Sequence, residues 1–413
     1  MPKARKDNKG RALRKGEVYQ ESKGMYIYTF TDPLGRRKYI YSKDLVKLRE
    51  KEMKLLKDQL DGLDVYTAGK ADVNFLFDRY INSRTDLRKT TMSNYRYLYD
   101  HYVRDSFGSK KITEVKFSDV MYFYMYLVDE VGLSVSTVDG VHRVLSPAFQ
   151  LAVRDDLIRK NPTDEAMLSV KRTNHGKTGV RHALTLEQQR AFIGFIKENS
   201  QYHRWLPIFV VLLGTGCRVG EAVGLRWKDV DDDNEMISIN HTVSYYRQRG
   251  DAEECAYIVN PPKTDASVRD IPMFPEVSEA FRMEKALQRA TGVQCTAEID
   301  GMSGFIFCNR YGNVHKANGL NRAIRRISED YNLIEEVKAK REGREAVLLP
   351  PFTCHHLRHT FCTRLCETTT NIKVIQSIMG HADIKTTMNI YAEVQEGLKK
   401  ETFNNISHEL KLF

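Results

Sequence analysis

The stretch CHHLRHTFC, residues 354–362, places three histidines, one arginine and two cysteines within nine positions. At 100° per residue, a helix would carry His355, Arg358, His359 and Cys362 on one arc. Such a cluster fits either zinc ligation or the binding of an anion by imidazole and guanidinium groups. Ligands on one straight helix all approach from one side, whereas zinc takes a tetrahedral set. Because no CxxC or HxxxH partner occurs elsewhere in the chain, the sequence favours the anion site.

A second candidate lies in LLGTGCRVGEAVGLRW, residues 212–227, where an apolar helix is predicted to run into a glycine-rich turn. Arg218 and Glu221 follow that turn. Burying an arginine without an ionic partner is costly, so Arg218 is expected to face an anion. The alternative is an ordinary surface ion pair between Arg218 and Glu221.

Two further stretches are weaker when each is taken alone. NPPKTDASVRDIPM, residues 260–273, predicts a β-hairpin with Lys263 near its turn, where a lysine is ordinarily only solvated. MGHADIKTTMNIYAEV, residues 379–394, predicts a loop at His381 leading into a short helix that carries Tyr391. A lone tyrosine on a helix usually belongs to a hydrophobic core.

The order of these motifs is more specific than any one of them. TGxRxGE, a lysine near a hairpin turn, HxLRHTF, MGH and a tyrosine ten residues later together resemble the tyrosine recombinase family over about residues 75–400. The opening RKDNKGR and the sequence HTFCT are most similar to integrases of conjugative transposons. The small N-terminal unit resembles the arm-binding domain of those integrases and of lambda-like phage integrases.

The resemblance implies roles for four residues in the cleavage of a DNA strand. Tyr391 matches the family's nucleophile, and Lys263 matches the lysine that protonates the leaving oxygen. Arg218 and Arg358 match the two arginines that clamp the scissile phosphate. His355 and Arg358, three positions apart on one helix, can both contact that phosphate.

Four other positions match the family's active site. His355 and His381 match catalytic residues, and Glu221 and His359 match supporting ones. His355 matches the histidine of the second motif and is the candidate general base. His381 matches the third-motif position, which is histidine or tryptophan. Glu221 matches the acidic residue that braces the first arginine, and His359 matches a second histidine that usually makes structural hydrogen bonds.

The activity implied is site-specific recombination that integrates and excises a mobile element through a 3′-phosphotyrosine intermediate. It requires no cofactor, metal or ATP. The implied partners are double-stranded DNA at core and arm attachment sites, a homotetramer on synapsed DNA, and an excisionase. The alternatives are a type IB topoisomerase-like strand transferase and a non-catalytic DNA-binding regulator, with a metal-dependent nuclease as a third class. A separate arm unit argues against a topoisomerase, and the complete set of catalytic positions argues against a silent regulator.

Positioning these residues calls for a multidomain, mainly α-helical chain with an α+β catalytic domain. Residues 1–65 are predicted to form a small three-stranded sheet plus a helix, preceded by a basic arm. Residues 71–165 predict a core-binding, SAM-like domain of four to five helices, and residues 166–183 a basic linker. Residues 184–413 predict a mixed α/β tyrosine-recombinase catalytic domain with a C-terminal tail. The insertion at 332–351 has no assigned role.

The charge of the chain supports contact with DNA. Lys and Arg exceed Asp and Glu by 64 to 54, a net charge of +10, and residues 1–16 alone carry seven basic side chains against one acidic one. Basic segments bind phosphate backbones by Coulomb attraction and counterion release. The candidate DNA-contact residues are Lys3, Arg5, Lys6, Arg36, Arg37, Lys38, Arg84, Arg88, Lys89, Arg96, Lys171 and Arg172.

Composition also predicts where the protein works. The seven cysteines form no CxxC pair, which favours reduced thiols in a cytosol over a disulfide framework. Neither a run of about 18 apolar residues nor a secretory signal is apparent, so no membrane association is expected. We expect a bacterial cytoplasmic protein associated with the nucleoid. Its last 22 residues carry apolar positions that are expected to dock on a neighbouring subunit or on their own domain.

Overall fold

The computed structural model describes residues 5–31, 37–60, 69–173, 182–247, 255–262 and 267–394. It divides the chain into two compact units, Met1–Thr178 and Gly179–Phe413. Within the described ranges, none of the helices has the length and apolar character needed to cross a membrane.

The first unit begins with a three-stranded antiparallel sheet in the order β1-β2-β3. Its strands are β1 (Glu17–Gln20), β2 (Met25–Thr31) and β3 (Arg37–Ser42), followed by helix α1 (Leu45–Leu60). Asp44 begins the helix by accepting hydrogen bonds from the backbone N–H groups of Val46 and Lys47 at 2.8 and 3.0 Å. Tyr26, Leu45 and Leu48 form a small buried core. The predicted sheet plus helix is confirmed.

Five helices that are described in full follow in the first unit. They are α2 (Val73–Ser83), α3 (Lys89–Tyr102), α4 (Phe117–Asp129), α5 (Val135–Arg154) and α6 (Ala166–Thr173). Their apolar faces bury one shared core, in which the rings of Phe77 and Tyr99 stack at 3.7 Å. The predicted bundle of four to five helices is confirmed.

The expectation that the segment from residue 166 is an irregular linker is wrong for residues 166–173. Ala166, Met167 and Val170 are buried on the inner face of α6. Met167 and Val170 follow Ala166 by one and four residues, which fits one face of a helix. A segment of eight residues is too short for this periodic pattern to be recognised among its basic residues. Residues 174–181 of the predicted linker lie outside the described residues.

The second unit mixes helices and strands, as predicted, and its described strands form two small sheets. Its helices are α7 (Leu186–Glu198), α8 (Leu206–Thr215), α9 (Val219–Gly224), α10 (Pro275–Thr291), α11 (Ala317–Glu342), α12 (Cys354–Thr368), α13 (Ile372–Met379) and α14, described over 384–394. One antiparallel sheet has the order β4 (Val230–Asp231), β5 (Met236–Ile239), β8 (Arg269–Pro272). The other pairs β6 (Thr242–Arg247) with β7 (Cys255–Asn260).

The predicted hairpin around Lys263 is wrong in its strand pairing. β7 pairs with β6, and β8 pairs with β5 in the other sheet. Pro261 and Pro262, which lack backbone N–H donors, follow β7 directly and end its ladder. The segment therefore connects two sheets, and Lys263 itself lies outside the described residues.

The described apolar side chains of the second unit separate into two cores. The larger core collects residues from α7 to α12 and from both sheets. A smaller cluster, called here the satellite core, comprises Phe361, Cys362, Cys366, Ile375 and Met379. Ile390, Tyr391 and Val394 of α14 pack against the satellite core. The C-terminal helices thus rest on a small core of their own.

The insertion at 332–351 extends α11 and then folds back along it. The amide of Asn332 both donates to and accepts from the backbone of Leu349, at 2.9 and 2.8 Å. Glu335 pairs with Arg344 just beyond the helix end. These contacts bring the chain to the start of α12 in a fixed position.

Candidate active site

The turn that carries Arg218 is formed by the end of a buried helix. α8 is apolar on all sides and ends at Gly216, which has the left-handed φ of 61°. A Cβ at Gly216 would lie 2.4 Å from Phe361, so only glycine fits. The chain then extends through Arg218, at φ −65° and ψ 146°, before α9 begins. The local sequence therefore determines the position from which the Arg218 side chain extends.

Glu221 holds that arginine from the first turn of α9. Its carboxylate accepts from the backbone N–H of Arg218 at 2.9 Å and from Nη1 of Arg218 at 2.7 Å. Burial would raise the pKa of Glu221, but the hydrogen bond and charge of Arg269 and the charge of Arg218 outweigh it, so that pKa is lowered. The carboxylate is ionised at neutral pH. The predicted bracing of Arg218 by Glu221 matches this contact.

Helix α12 carries the histidine and arginine cluster of CHHLRHTFC. The backbone N–H of Thr353 donates to Nδ1 of His356 at 3.2 Å, which closes the first turn. His355 is exposed at that turn, whereas Arg358 is only 3% exposed. Nδ1 of the half-buried His359 lies 3.4 Å from the hydroxyl of Thr363. The helix thus presents His355 outward and directs Arg358 into the protein.

Arg358 is held by backbone carbonyls. Its Nη1 donates to the oxygen of Gly216 at 2.6 Å, and its Nη2 donates to the oxygen of Met379 at 2.5 Å. Burial, followed by the positive charge of Arg218, lowers the pKa of Arg358 to about 10. The guanidinium therefore remains a cation at neutral pH, paired with carbonyl dipoles.

His381 lies directly after the end of α13 and is 9% exposed. Its Nδ1 is 2.9 Å from the hydroxyl of the buried Thr387. Burial, then the charges of Arg358 and Arg218, lowers the pKa of His381 to about 4. A neutral imidazole can donate one N–H to an anion without adding charge.

Tyr391 is a half-buried residue of α14, and its ring packs against the satellite core. The same core contains Met379, whose carbonyl binds Arg358. The structure thus brings Arg218, Glu221, Arg358 and His381 together around the end of α13, with Tyr391 on the helix that follows. The charge of His355 is a further, smaller cause of the lowered pKa of His381.

One residue of this site was missed by sequence reasoning. Arg269 begins β8 with a side chain only 4% exposed, and its Nη2 donates to Glu221 at 2.9 Å. Along β8 the residues alternate between buried and exposed, so Arg269 shares the inward face with Ile271. An arginine at an inward strand position was the available signal, since arginine is rarely buried without a partner.

The candidate DNA-contact residues are distributed over the first unit. Arg37 is exposed on β3 together with Tyr39 and Tyr41, whereas the neighbouring Lys38 points to the other face. Arg84 is paired with Asp86 at 2.7 Å, and Lys171 with Asp139 at 2.7 Å. Lys3 and Arg36 lie outside the described residues. The others are placed as follows: Arg5 and Lys6 precede β1, Arg88, Lys89 and Arg96 lie at or within α3, and Arg172 is exposed on α6.

Comparison with known proteins places these features in a family. The phage integrase family matches residues 182–397, the DNA binding domain of Tn916 integrase matches residues 1–59, and the phage integrase N-terminal SAM-like domain matches residues 73–128. The transposase from transposon Tn916 of Enterococcus faecalis is 32% identical over 424 residues, covering 100% of this chain and 97% of the relative. The chain belongs to the phage integrase family.

Solved structures agree with this assignment. The Tn1549 transposon integrase in complex with transposon right end DNA matches with a TM-score of 0.68 and 31% identity, over 80% of this chain and 99% of that chain. A lambda integrase dimer bound to a COC′ core site shares the fold, with a TM-score of 0.52 and 16% identity over 92% of this chain and 95% of that chain. The enzyme is a tyrosine recombinase, and the predicted site-specific recombinase of a mobile element is confirmed. The roles of the individual residues remain predictions.

Proposed function

We propose that this recombinase cleaves duplex DNA with Tyr391 while Arg218 and Arg358 bind the scissile phosphate. The observation that carries the proposal is the anchoring of both guanidinium groups on one helix end. Arg218 donates to the carbonyl of Gly380 at 2.9 Å, and Arg358 donates to that of Met379. Two cations are thereby fixed side by side before any phosphate binds, which is how preorganised sites stabilise charge in a transition state.

The number of N–H donors on Arg218 and Arg358 supports a phosphate as their additional partner. A guanidinium has five N–H donors. Within the described residues, side-chain donors of Arg218 bind Glu221 and Gly380, and those of Arg358 bind Gly216 and Met379. In each arginine, Nη1 and Nη2 therefore each donate one hydrogen to the protein. Each nitrogen retains a second hydrogen that can bind an anion. Arg218, with 39% of its side chain exposed, is the one open to solvent.

The proposed chemistry conserves the energy of the broken phosphodiester. The phenol oxygen of Tyr391 attacks phosphorus, a 3′-phosphotyrosine bond forms, and the bond to the 5′ oxygen breaks. The phenol must lose its proton to attack, and His355 takes that proton as the candidate base. Lys263 gives a proton to the leaving 5′ oxygen. A 5′-hydroxyl of a partner strand then reverses the step and releases Tyr391.

Each supporting group has a defined part in this scheme. His381, neutral at physiological pH, donates an N–H to a nonbridging oxygen, and Glu221 keeps Arg218 in place. The two arginines and the imidazole supply the charge stabilisation that a metal ion supplies in other phosphoryl transferases. The reaction is accordingly proposed to proceed without metal, cofactor or ATP.

The biological setting is part of the same proposal. The recombinase binds core and arm attachment sites of double-stranded DNA, works as a homotetramer on synapsed DNA, and takes an excisionase as accessory protein. It acts in the bacterial cytoplasm at the nucleoid. Support comes from the transposon relatives of 32% identity and from the family match of residues 1–59 to a DNA-binding domain.

The test is formation of a covalent protein–DNA adduct on a nicked attachment-site substrate, followed on a denaturing gel in excess EDTA. The wild-type protein is expected to form the adduct, and Tyr391→Phe is expected to form none because it lacks the attacking oxygen. Tyr391→Phe should still bind the DNA in a mobility-shift assay. The matched control is Tyr311→Phe, an exposed tyrosine of the same unit, which should react like wild type. Adducts that persist in Tyr391→Phe, or that require a metal ion, contradict the proposal.

A further inference from the structure

Arg269 is a third arginine at the active site, and its contacts differ from those of Arg218 and Arg358. Its Nε donates to the carbonyl of Ile378 at 2.7 Å, and its Nη1 donates to that of Ser267 at 3.1 Å. Its Nη2 donates to Glu221 at 2.9 Å. All three guanidinium nitrogens are thus bound to protein. With 4% of its side chain exposed, Arg269 is shielded from solvent, in contrast to Arg218.

The last carbonyls of α13 explain why three arginines converge. Ile378, Met379 and Gly380 are consecutive, and their oxygens accept from Arg269, Arg358 and Arg218 in that order. The terminal carbonyls of a helix have no intrahelical partner and carry partial negative charge. One helix end therefore binds three cations, and Glu221 lies between two of them.

We propose that Arg269 is a positioning residue for strand cleavage, which sets the orientation of Arg218 by holding Glu221 on one side and the end of α13 on the other. This inference rests on the proposed function of Arg218 as a phosphate ligand. Oε1 of Glu221 binds the Arg218 guanidinium, whereas Oε2 accepts from Arg269 and from the backbone N–H of Arg218. Rotation of the carboxylate is thereby blocked, and the Arg218 guanidinium that it binds is fixed as well.

The geometry requires a guanidinium rather than a simple positive charge. The planar fork of arginine directs Nε to Ile378 while Nη2 reaches Glu221. A lysine ammonium is a single point charge on a flexible stem and cannot fix both partners in one plane. Gly380 completes the fit, because a Cβ there would lie 2.9 Å from Nη1 of Arg269. The end of α13 and the Arg269 side chain are therefore closely packed against each other.

The same unit offers a matched control. Arg226 is also buried, with 8% of its side chain exposed, and its Nε and Nη2 bind Asp229 at 2.9 and 3.0 Å. None of the hydrogen bonds of Arg226 goes to the end of α13 within the described residues. Arg226→Gln therefore removes a buried arginine–carboxylate pair without touching the proposed positioning contacts.

The experiment measures two quantities for each full-length variant, at a temperature where melting shows it to be folded. They are the rate of covalent adduct formation at saturating nicked DNA, and the Kd for that DNA. Arg269→Gln is expected to lower the rate about 100-fold, as a misplaced catalytic group does, with Kd changed less than about threefold. Arg269→Lys, which retains the charge and keeps the test open if Arg269→Gln is unfolded, is expected to lower the rate about 10-fold. Arg226→Gln should leave both quantities near wild type.

A double variant separates positioning from general destabilisation. If Arg269 acts through Glu221, adding Arg269→Gln to Glu221→Gln should slow the reaction little further, because the coupling is already lost. Independent, multiplicative losses would overturn the proposal, as would folded Arg269 variants that react at the wild-type rate. A wild-type protein that forms no adduct would instead refute the proposed function itself, so the two failures are distinguishable.

Discussion

His381 is a neutral histidine at physiological pH, because it is buried beside arginines that are already charged. Its pKa is lowered to about 4, whereas an unfolded histidine titrates near 6.5. The unfolded chain therefore binds more protons than the folded one between these two values. Stability contributed by the neutral His381 is present above pH 6.5 and is lost as the pH falls toward 4.

We predict that His381→Gln flattens the acid side of the stability profile. From pH 6.5 to pH 4, the free energy of unfolding of the variant should fall less steeply than that of wild type, by up to about 1.4 kcal/mol per pH unit. Urea denaturation followed by tryptophan fluorescence measures this, since both tryptophans, Trp205 and Trp227, lie in the second unit. Parallel profiles for the two proteins would show that His381 titrates normally.

Sequence reasoning identified the site residues that lie in motifs of characteristic spacing. It missed Arg269, whose place in the site depends on strand pairing. Arg218 and Glu221 are three residues apart, so their contact is local and predictable. Arg269 meets Glu221 across 48 positions. That contact depends on β8 lying beside the end of α13, which no local pattern encodes. The position of Lys263 remains a prediction.

Two glycines in the left-handed conformation supply backbone carbonyls that bind arginines of the candidate site. Gly216 ends α8 and Gly380 ends α13, with φ values of 61° and 60°. The carbonyl of each accepts a hydrogen bond from an arginine of the site. Gly343 ends α11 with a similar φ of 65°, but a Cβ there would have nothing within 4 Å. It is therefore a control with the same backbone requirement and no active-site contact.

We predict that Gly380→Ala is more damaging than Gly343→Ala. Both should lose roughly 1 kcal/mol of stability, the cost of placing alanine in the left-handed region. Gly380→Ala should lose more, because its methyl group displaces the Arg269 guanidinium, and it should slow adduct formation at least about tenfold. Urea denaturation and single-turnover cleavage provide the two measurements. Equal effects of the two substitutions on both would refute the described packing of Arg269 against Gly380.

Helices and strands were predicted best where the periodic pattern of large residues extends over many positions. The helices of the first unit show helical spacing of large residues over many turns, and the bundle was recognised from it. Short segments gave no such signal, as α6 shows. The predicted hairpin placed strands on both sides of Lys263 but gave them the wrong partners, since strand pairing is decided by packing far along the chain.

The division of the chain predicts that binding to arm sites and cleavage at core sites are separable. The N-terminal sheet and α1 bury a core of their own around Tyr26, Leu45 and Leu48, and the residues of the candidate active site all lie beyond residue 217. Deleting residues 1–65 should abolish binding to a distal arm site and leave adduct formation on an isolated core site within about threefold of wild type. Mobility shifts on each DNA and the denaturing gel measure this, with tryptophan fluorescence confirming that the second unit is folded. Loss of core cleavage in a folded deletion variant would contradict the division.

The satellite core determines the order in which the C-terminal helices come apart. α13 is tied to the larger part of the unit by hydrogen bonds from three charged arginines to its last carbonyls. α14 rests on the same small core through Ile390, Tyr391 and Val394, and through the contact of Thr387 with His381. Helices held mainly by few apolar contacts open at lower free energy than the globular core. Amide hydrogen exchange should therefore run faster along α14 than along α13. Tyr391, the proposed nucleophile, is then expected to detach and return while the arginines stay assembled.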